Sequence, residues 1–122
     1  MVVCFDTETT GINTKQDELL QITIVDDKFN ILLDTYVCPA TKTKWALAEK
    51  VNHISYDMVK NAPTAKELAP KIQEIFDSAD RVVGYNVGFD IAFIKKDCDY
   101  RILSDKSYDV YKVFKEECNK KF

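Results

Sequence analysis

Glycine and proline are scarce in this chain, three of each in 122 residues, and histidine and tryptophan occur once each. So few chain breakers exclude collagen-like, linker-like and low-complexity architectures, and a composition of 46% hydrophobic and 30% charged residues is that of a folded globule. This length supports one hydrophobic core and is too short for two ordinary domains, so residues 1–122 are read as a single unit. No apolar run approaches the ~18 residues of a membrane span. The opening Met1-Val2-Val3-Cys4-Phe5 has no basic lead either, and the expectation is a cytoplasmic protein with no membrane association. Cys4, Cys38, Cys98 and Cys118 lie far apart with no C-x-x-C pair. With one histidine this leaves no ordinary zinc cage, and reduced, packed thiols are expected rather than disulfides.

An excess of positive charge is also missing. The net charge of -3 argues against a protein that grips nucleic acid by bulk electrostatics alone. The charge is uneven: residues 1–94 hold 9 basic and 14 acidic side chains, residues 95–122 hold 8 and 6. The basic end reads as solvated helix surface or as a patch facing phosphate.

What is present is a sequence of short apolar runs. Residues 2–5 (VVCF) are continuous enough for a central strand covered on both faces. LLQITIVDD (19–27) and FNILLDTYVCP (29–39) are rich in Ile, Val, Tyr and Thr, and flank a polar turn at Asp26-Asp27-Lys28, the pattern of an antiparallel hairpin. A loop follows over 39–44, then short helix or turn over 45–60. Thr64-Ala65-Lys66-Glu67 fits a capping box, and Leu68, Ile72, Ile75, Phe76 and Ala79 line one helical face, which predicts a helix over 65–78 kinked by Pro70. Arg81 to Tyr85 reads as a buried strand, and Asn86 as the cap of a helix over 88–97. A fifth strand at 107–110 and a closing helix over 111–120 complete a mixed α/β sheet layered with helices.

The chemistry gathers where VVCFDTETTG ends. In an extended segment residues two apart point the same way, so Asp6 and Glu8 leave the strand together, and each carboxylate raises the other's pKa unless a cation sits between them. An oxygen-only donor set with no His or Cys nearby favours a hard ion, Mg²⁺ or Mn²⁺. The plainer alternative makes Asp6 a turn cap and Glu8 an exposed loop acid. GYNVGFDIAFI (84–94) places another acid, Asp90, just past a second short strand, where a helix macrodipole alone also favours it.

FDTETTG followed by GYNVGFDIAFI resembles the first and second motifs of the DEDD superfamily of 3′-to-5′ exonucleases. NHISYDMVKNAPT between them resembles the bacterial replicative proofreading branch, which holds the epsilon subunit of DNA polymerase III. The resemblance spans residues 2–115 and implies a ribonuclease H-like fold, a five-stranded mixed sheet with helices on both faces whose first three strands are antiparallel. It makes Asp6, Glu8 and Asp90 ligands of two divalent ions, Mg²⁺ or Mn²⁺. Thr7, Thr9, Thr10, Gly11 and Ile12 would lie along the terminal nucleotide, with Asn86 and Phe89 holding the strand. The implied partners are the 3′ end of single-stranded DNA, with RNA as an alternative, and a polymerase subunit.

The family's third motif, a helical H-x-x-x-x-D or Y-x-x-x-D carrying the general base and a fourth acid, is absent. His53 has no Asp five residues on, and Tyr100 with Asp105 misses the tyrosine spacing by one. The expected fold therefore lacks its C-terminal helices. Asp109, at the fifth strand, reads as a turn acid. Two functions follow: an exonuclease domain weak or inactive as this chain alone, or a non-catalytic nucleic-acid-binding or interaction module on a degenerate exonuclease fold. A Rossmann or flavodoxin-like domain is disfavoured, because no glycine-rich phosphate loop follows the first strand. An unfinished helical layer would expose apolar surface, and a homodimer is the expected consequence.

Overall fold

The computed structural model describes residues 1–111, and the predicted closing helix over 111–120 lies, after Tyr111, outside them. Strands β1 (Val2–Thr9), β2 (Leu19–Asp26) and β3 (Ile31–Tyr36) form an antiparallel meander. Helices α1 (Ala46–Asn52), α2 (Tyr56–Val59) and α3 (Ala65–Ser78) lead to β4 (Arg81–Gly84), then α4 (Val87–Cys98) and β5 (Ser107–Asp109). The sheet order is β3-β2-β1-β4-β5, with β1 and β4 parallel and β4 and β5 parallel. This is the mixed five-stranded sheet expected from the sequence, with β1 at its centre.

Local chemistry explains most of the boundaries. The hairpin turn is longer than Asp26 to Lys28 because the Asp26 carboxylate accepts from the backbone of Lys28 at 2.8 Å and of Asn30 at 2.9 Å. Phe29 takes a left-handed conformation inside that turn, so β3 starts at Ile31. Thr64 caps α3 as its capping box predicts, accepting from the Glu67 N–H at 3.2 Å. The helix runs on to Ser78 with Pro70 on its exposed side, where water can reach the carbonyl that proline leaves unpaired.

Asn86 does not cap α4 with its side chain. It sits in the left-handed region, turning the chain sharply out of β4, and its N–H donates to the Asp109 carboxylate at 2.8 Å.

Helices α3 and α4 cover one face of the sheet. Val3 and Phe5 of β1 meet Ile22, Ile24, Val82, Phe76, Phe93 and Ile94 there, and Phe5 packs edge-on against Phe76 at 5.0 Å. Each fully buried side chain of this kind contributes about 1.5–3 kcal/mol. The opposite side of β1 differs from the sequence reading: Cys4 and Asp6 are exposed. Among the described residues the middle of this face stays open, as a groove of about 320 Å³ lined by Cys4, Val25, Val83, Tyr85 and Val110. Near its end, the pairing of β1 with β2 slips by one residue at Glu8/Thr9. The slip turns Leu20 out of the main core into a second cluster with Trp45, Ile54 and Val59, which seats α1 and α2 beside the end of β1.

Gly84 ends β4 where a β-carbon would fall 2.9 Å from Val87 Cγ2 and 3.3 Å from the Phe5 carbonyl oxygen. Neither a β-branched side chain nor a strand backbone yields easily. Gly84→Ala should cost about 1–3 kcal/mol of stability, read as a lower denaturation midpoint at an unchanged m-value.

Candidate active site

The period of two along β1 assigns its side chains to two sides. Val3, Phe5, Thr7 and Thr9 face the core, while Asp6 is exposed and Glu8 half-buried on the other side. Thr7, between the two acids, donates its hydroxyl to Asp90 Oδ1 in a short hydrogen bond. Asp90 comes from the first turn of α4 and is only 4% exposed. The sequence reading brings Asp6, Glu8 and Asp90 together beside neighbouring strand ends. The structure brings them to the same strand end, but Asp90 approaches from the helix layer and meets the strand through Thr7.

Their charges reach one another. Burial pushes the Asp90 carboxyl up to about 6 against the Thr7 hydrogen bond, and the charges of Asp6, Glu8 and Asp109 add to the rise. Burial, then the neighbouring Asp6 charge, raises Glu8 as well. Asp109 itself accepts from the N–H groups of Asn86 at 2.8 Å and Tyr111 at 3.0 Å, the turn role expected of it. The donor set is all oxygen and carries mutually repelling charge, which suits a hard divalent cation. Among the described residues no three His, Cys, Asp or Glu side chains form one group able to hold an ion.

A groove of about 520 Å³ opens beside Glu8. Thr7 to Ile12 and Phe89 line one side of it. Three of the threonine hydroxyls predicted to meet a nucleotide are committed elsewhere: Thr7 to Asp90, Thr9 to the Gly11 carbonyl at 2.7 Å, and Thr10 to Asp17 at 2.8 Å. What this side offers a ligand is mainly backbone and the side chain of Ile12, 89% exposed at the loop tip. Asn86 does not line the groove.

The opposite wall is helix α1, which the sequence reading missed. Leu47 and Val51, one helical turn apart and 82% and 81% exposed, line it with Ala48 and Asn52. An i, i+4 apolar pair in a helix too short to need it for packing was the available signal. His53 ends α1 in the left-handed region, a structural position.

The raised Asp90 pKa has a definite sign. Between the ordinary carboxyl value of 3.8 and about 6 the folded chain binds the proton that the unfolded chain has lost, so stability falls as pH rises through that window. The full effect is roughly 3 kcal/mol. In chelator, Asp90→Asn, which keeps an acceptor for Thr7, should melt higher than the parent chain at pH 7.5 and equal to it near pH 4. Identical melting curves at both pH values would refute the assignment.

With the geometry in place, the relatives are informative. A family model described as Exonuclease (RNase_T) matches residues 3–119. The chain is 36% identical over 97 residues to the PolC-type DNA polymerase III of Clostridium perfringens, covering 77% of this chain and 7% of that protein. It is 31% identical over 113 residues to the DNA polymerase III subunit epsilon of Treponema pallidum, covering 88% and 52%. To the 3′-5′ exonuclease DinG of Staphylococcus aureus (strain USA300) it is 32% identical over 118 residues, covering 90% and 13%. The chain thus spans between a fourteenth and about half of these relatives. Among solved structures, E. coli Exonuclease I in complex with a dA16 oligonucleotide superposes with a TM-score of 0.78 at 20% identity, over 93% of this chain and 28% of that one, a likeness of fold. Over residues 3–119 the chain belongs to the exonuclease family described by that model, and it is related there to a PolC-type DNA polymerase III and to a DNA polymerase III epsilon subunit.

Proposed function

We propose that this domain performs metal-dependent hydrolysis of the terminal phosphodiester at the 3′ end of single-stranded DNA, in a proofreading or repair setting. The observation that carries the reading is the placement of buried Asp90 against Thr7, the residue between Asp6 and Glu8 on the central strand, with Glu8 on the wall of a groove that has one backbone-rich side and one apolar side. Asp6, Glu8 and Asp90 would hold the divalent ions, Mg²⁺ or Mn²⁺, that exonucleases of this family use. Such ions, when bound, neutralise phosphate charge and activate water for in-line displacement.

The chain's own side chains then have separate tasks. Thr7 fixes the orientation of Asp90 by donating to one of its oxygens. Glu8 lies on the groove wall, so a phosphodiester seated there adjoins its carboxylate. Ile12, Phe89, Leu47 and Val51 present apolar surface of the kind that takes a terminal base and sugar, with the Thr10 and Gly11 backbone against the strand. Recognition through base faces rather than base edges fits an exonuclease, which must accept every base.

One group is not supplied. His53, the only histidine, ends α1 and does not line the groove, and no third-motif tyrosine pair exists. A missing general base costs about 10²- to 10⁴-fold in rate, so turnover by this chain alone should be slow. The lack of a three-acid group among the described residues favours a second reading, a module of the same fold that binds single strands without cutting them.

A 5′-labelled single-stranded oligonucleotide incubated with the chain and Mn²⁺ separates the two. Slow laddering from the 3′ end, abolished by Asp6→Ala and by Asp90→Ala, is the expected result. Retention of the oligonucleotide with no laddering would establish the binding module instead, and neither binding nor cleavage would overturn both.

A further inference from the structure

We infer that the adjacent carboxylates Asp17 and Glu18, at the entry to β2, are positioning residues that set the width of the groove by holding both of its walls. The role rests on the nucleotide reading above and deepens it.

Asp17 builds the first wall. Its carboxylate accepts from the Thr10 hydroxyl at 2.8 Å and the Asn13 N–H at 2.9 Å, and pairs with the Lys42 ammonium at 3.2 Å. The Thr10 hydroxyl accepts in turn from the Glu18 N–H at 3.0 Å, while the Thr10 N–H donates to the Glu18 carbonyl at 2.9 Å. Gly11 closes over this carboxylate: a β-carbon there would lie 2.4 Å from Asp17 Oδ2. With Asp17 bonded inside the 10–17 loop, where it also lines the groove, Ile12 stays projected at the groove rim.

Glu18 builds the second wall. Buried to 8% exposure, it accepts from the N–H groups of Ala40, Thr41 (3.1 Å) and Lys42 (2.9 Å) and from the Thr41 hydroxyl at 2.7 Å. That fixes residues 40–42, which lead through buried Trp45 into α1. The far end of α1 is tied to β1 by Asn52, whose side-chain amide donates to the Thr9 carbonyl at 3.1 Å. Leu47 and Val51 are thereby held at a set distance from Ile12. Burial pushes both carboxyls up, but their hydrogen bonds outweigh it and hold both below the ordinary range, so the brace stays charged at neutral pH.

A buried, fully bonded carboxylate is a costly way to gain stability compared with an apolar side chain. Its return is a fixed geometry, and a ligand that meets preformed walls loses less freedom on binding.

The test compares the parent chain with Asp17→Asn and Glu18→Gln, with Asp57→Asn on exposed α2 as the control. Binding of a short 5′-labelled oligothymidylate is followed in Ca²⁺, and Mn²⁺ affinity is measured separately by calorimetry. Both variants should bind the oligonucleotide roughly tenfold more weakly, with Mn²⁺ affinity unchanged. Amide exchange should quicken at Asn13 in the first variant and at Ala40 to Lys42 in the second, with Ile22 and Ile24 still protected.

Oligonucleotide affinity equal to the parent in both variants overturns the role, as does unaltered exchange in both loops. If strand protection collapses in the acid variants, Thr10→Val decides: it removes the hydroxyl that links Asp17 to the Glu18 N–H while leaving both carboxylates in place, and parental affinity in it overturns the role. A parent chain that binds no oligonucleotide overturns the nucleotide reading itself, and this role with it.

Discussion

The alternation of side chains along Val2–Thr9 is the constraint on which the rest of the molecule depends. One parity of β1 supplies Val3 and Phe5 to the core, and the other supplies Asp6 and Glu8 to the site, so a single strand both anchors the sheet and presents the acids. A slip of one residue would exchange the two sets. It would bury two carboxylates against Phe76 and Phe93 while exposing Val3 and Phe5. Antiparallel pairing with β2 and parallel pairing with β4 hold that register from both sides.

Thr7 joins the two halves of this arrangement. It lies on the core side, yet its hydroxyl engages Asp90, bridging central strand and helix layer. Asp90 is therefore joined to the strand beside Asp6 and Glu8 from the helix side. Burial first, and then the neighbouring acidic charges, raise Asp90 and Glu8 above the ordinary carboxyl value.

The groove beside these acids is held differently. Its walls come from a loop and a helix shorter than two and a half turns, elements with little stability of their own. Hydrogen bonds from Asp17, Glu18 and Asn52, together with Trp45 and the Leu20 bulge, tie them to the sheet. Ile12, Leu47 and Val51 at the rim stay exposed, while the polar residues behind them do the fastening. This inverts the usual placement of the two classes and is what a binding surface requires.

Much of this was legible in the amino-acid order, because it depends on neighbours close in the chain. The β1 apolar run, the hairpin composition, the Thr64 capping box and the two-residue spacing of Asp6 and Glu8 are local patterns, and the five-strand sheet with its family resemblance follows from them. Tertiary structure alone decided the rest. Asp90 was placed among the acids by its motif, but its bond to Thr7 spans 83 residues of sequence and leaves no periodic trace. Whether the face over Cys4, open among the described residues, is covered depends on other elements, which no single strand encodes. The Leu20 bulge and the α1 wall arise from a one-residue slip between strands, and the loss of Asn86 as a cap from the angle at which β4 meets α4. Local periodicity carries information about which way a side chain points; only the packing of distant segments determines what it meets there.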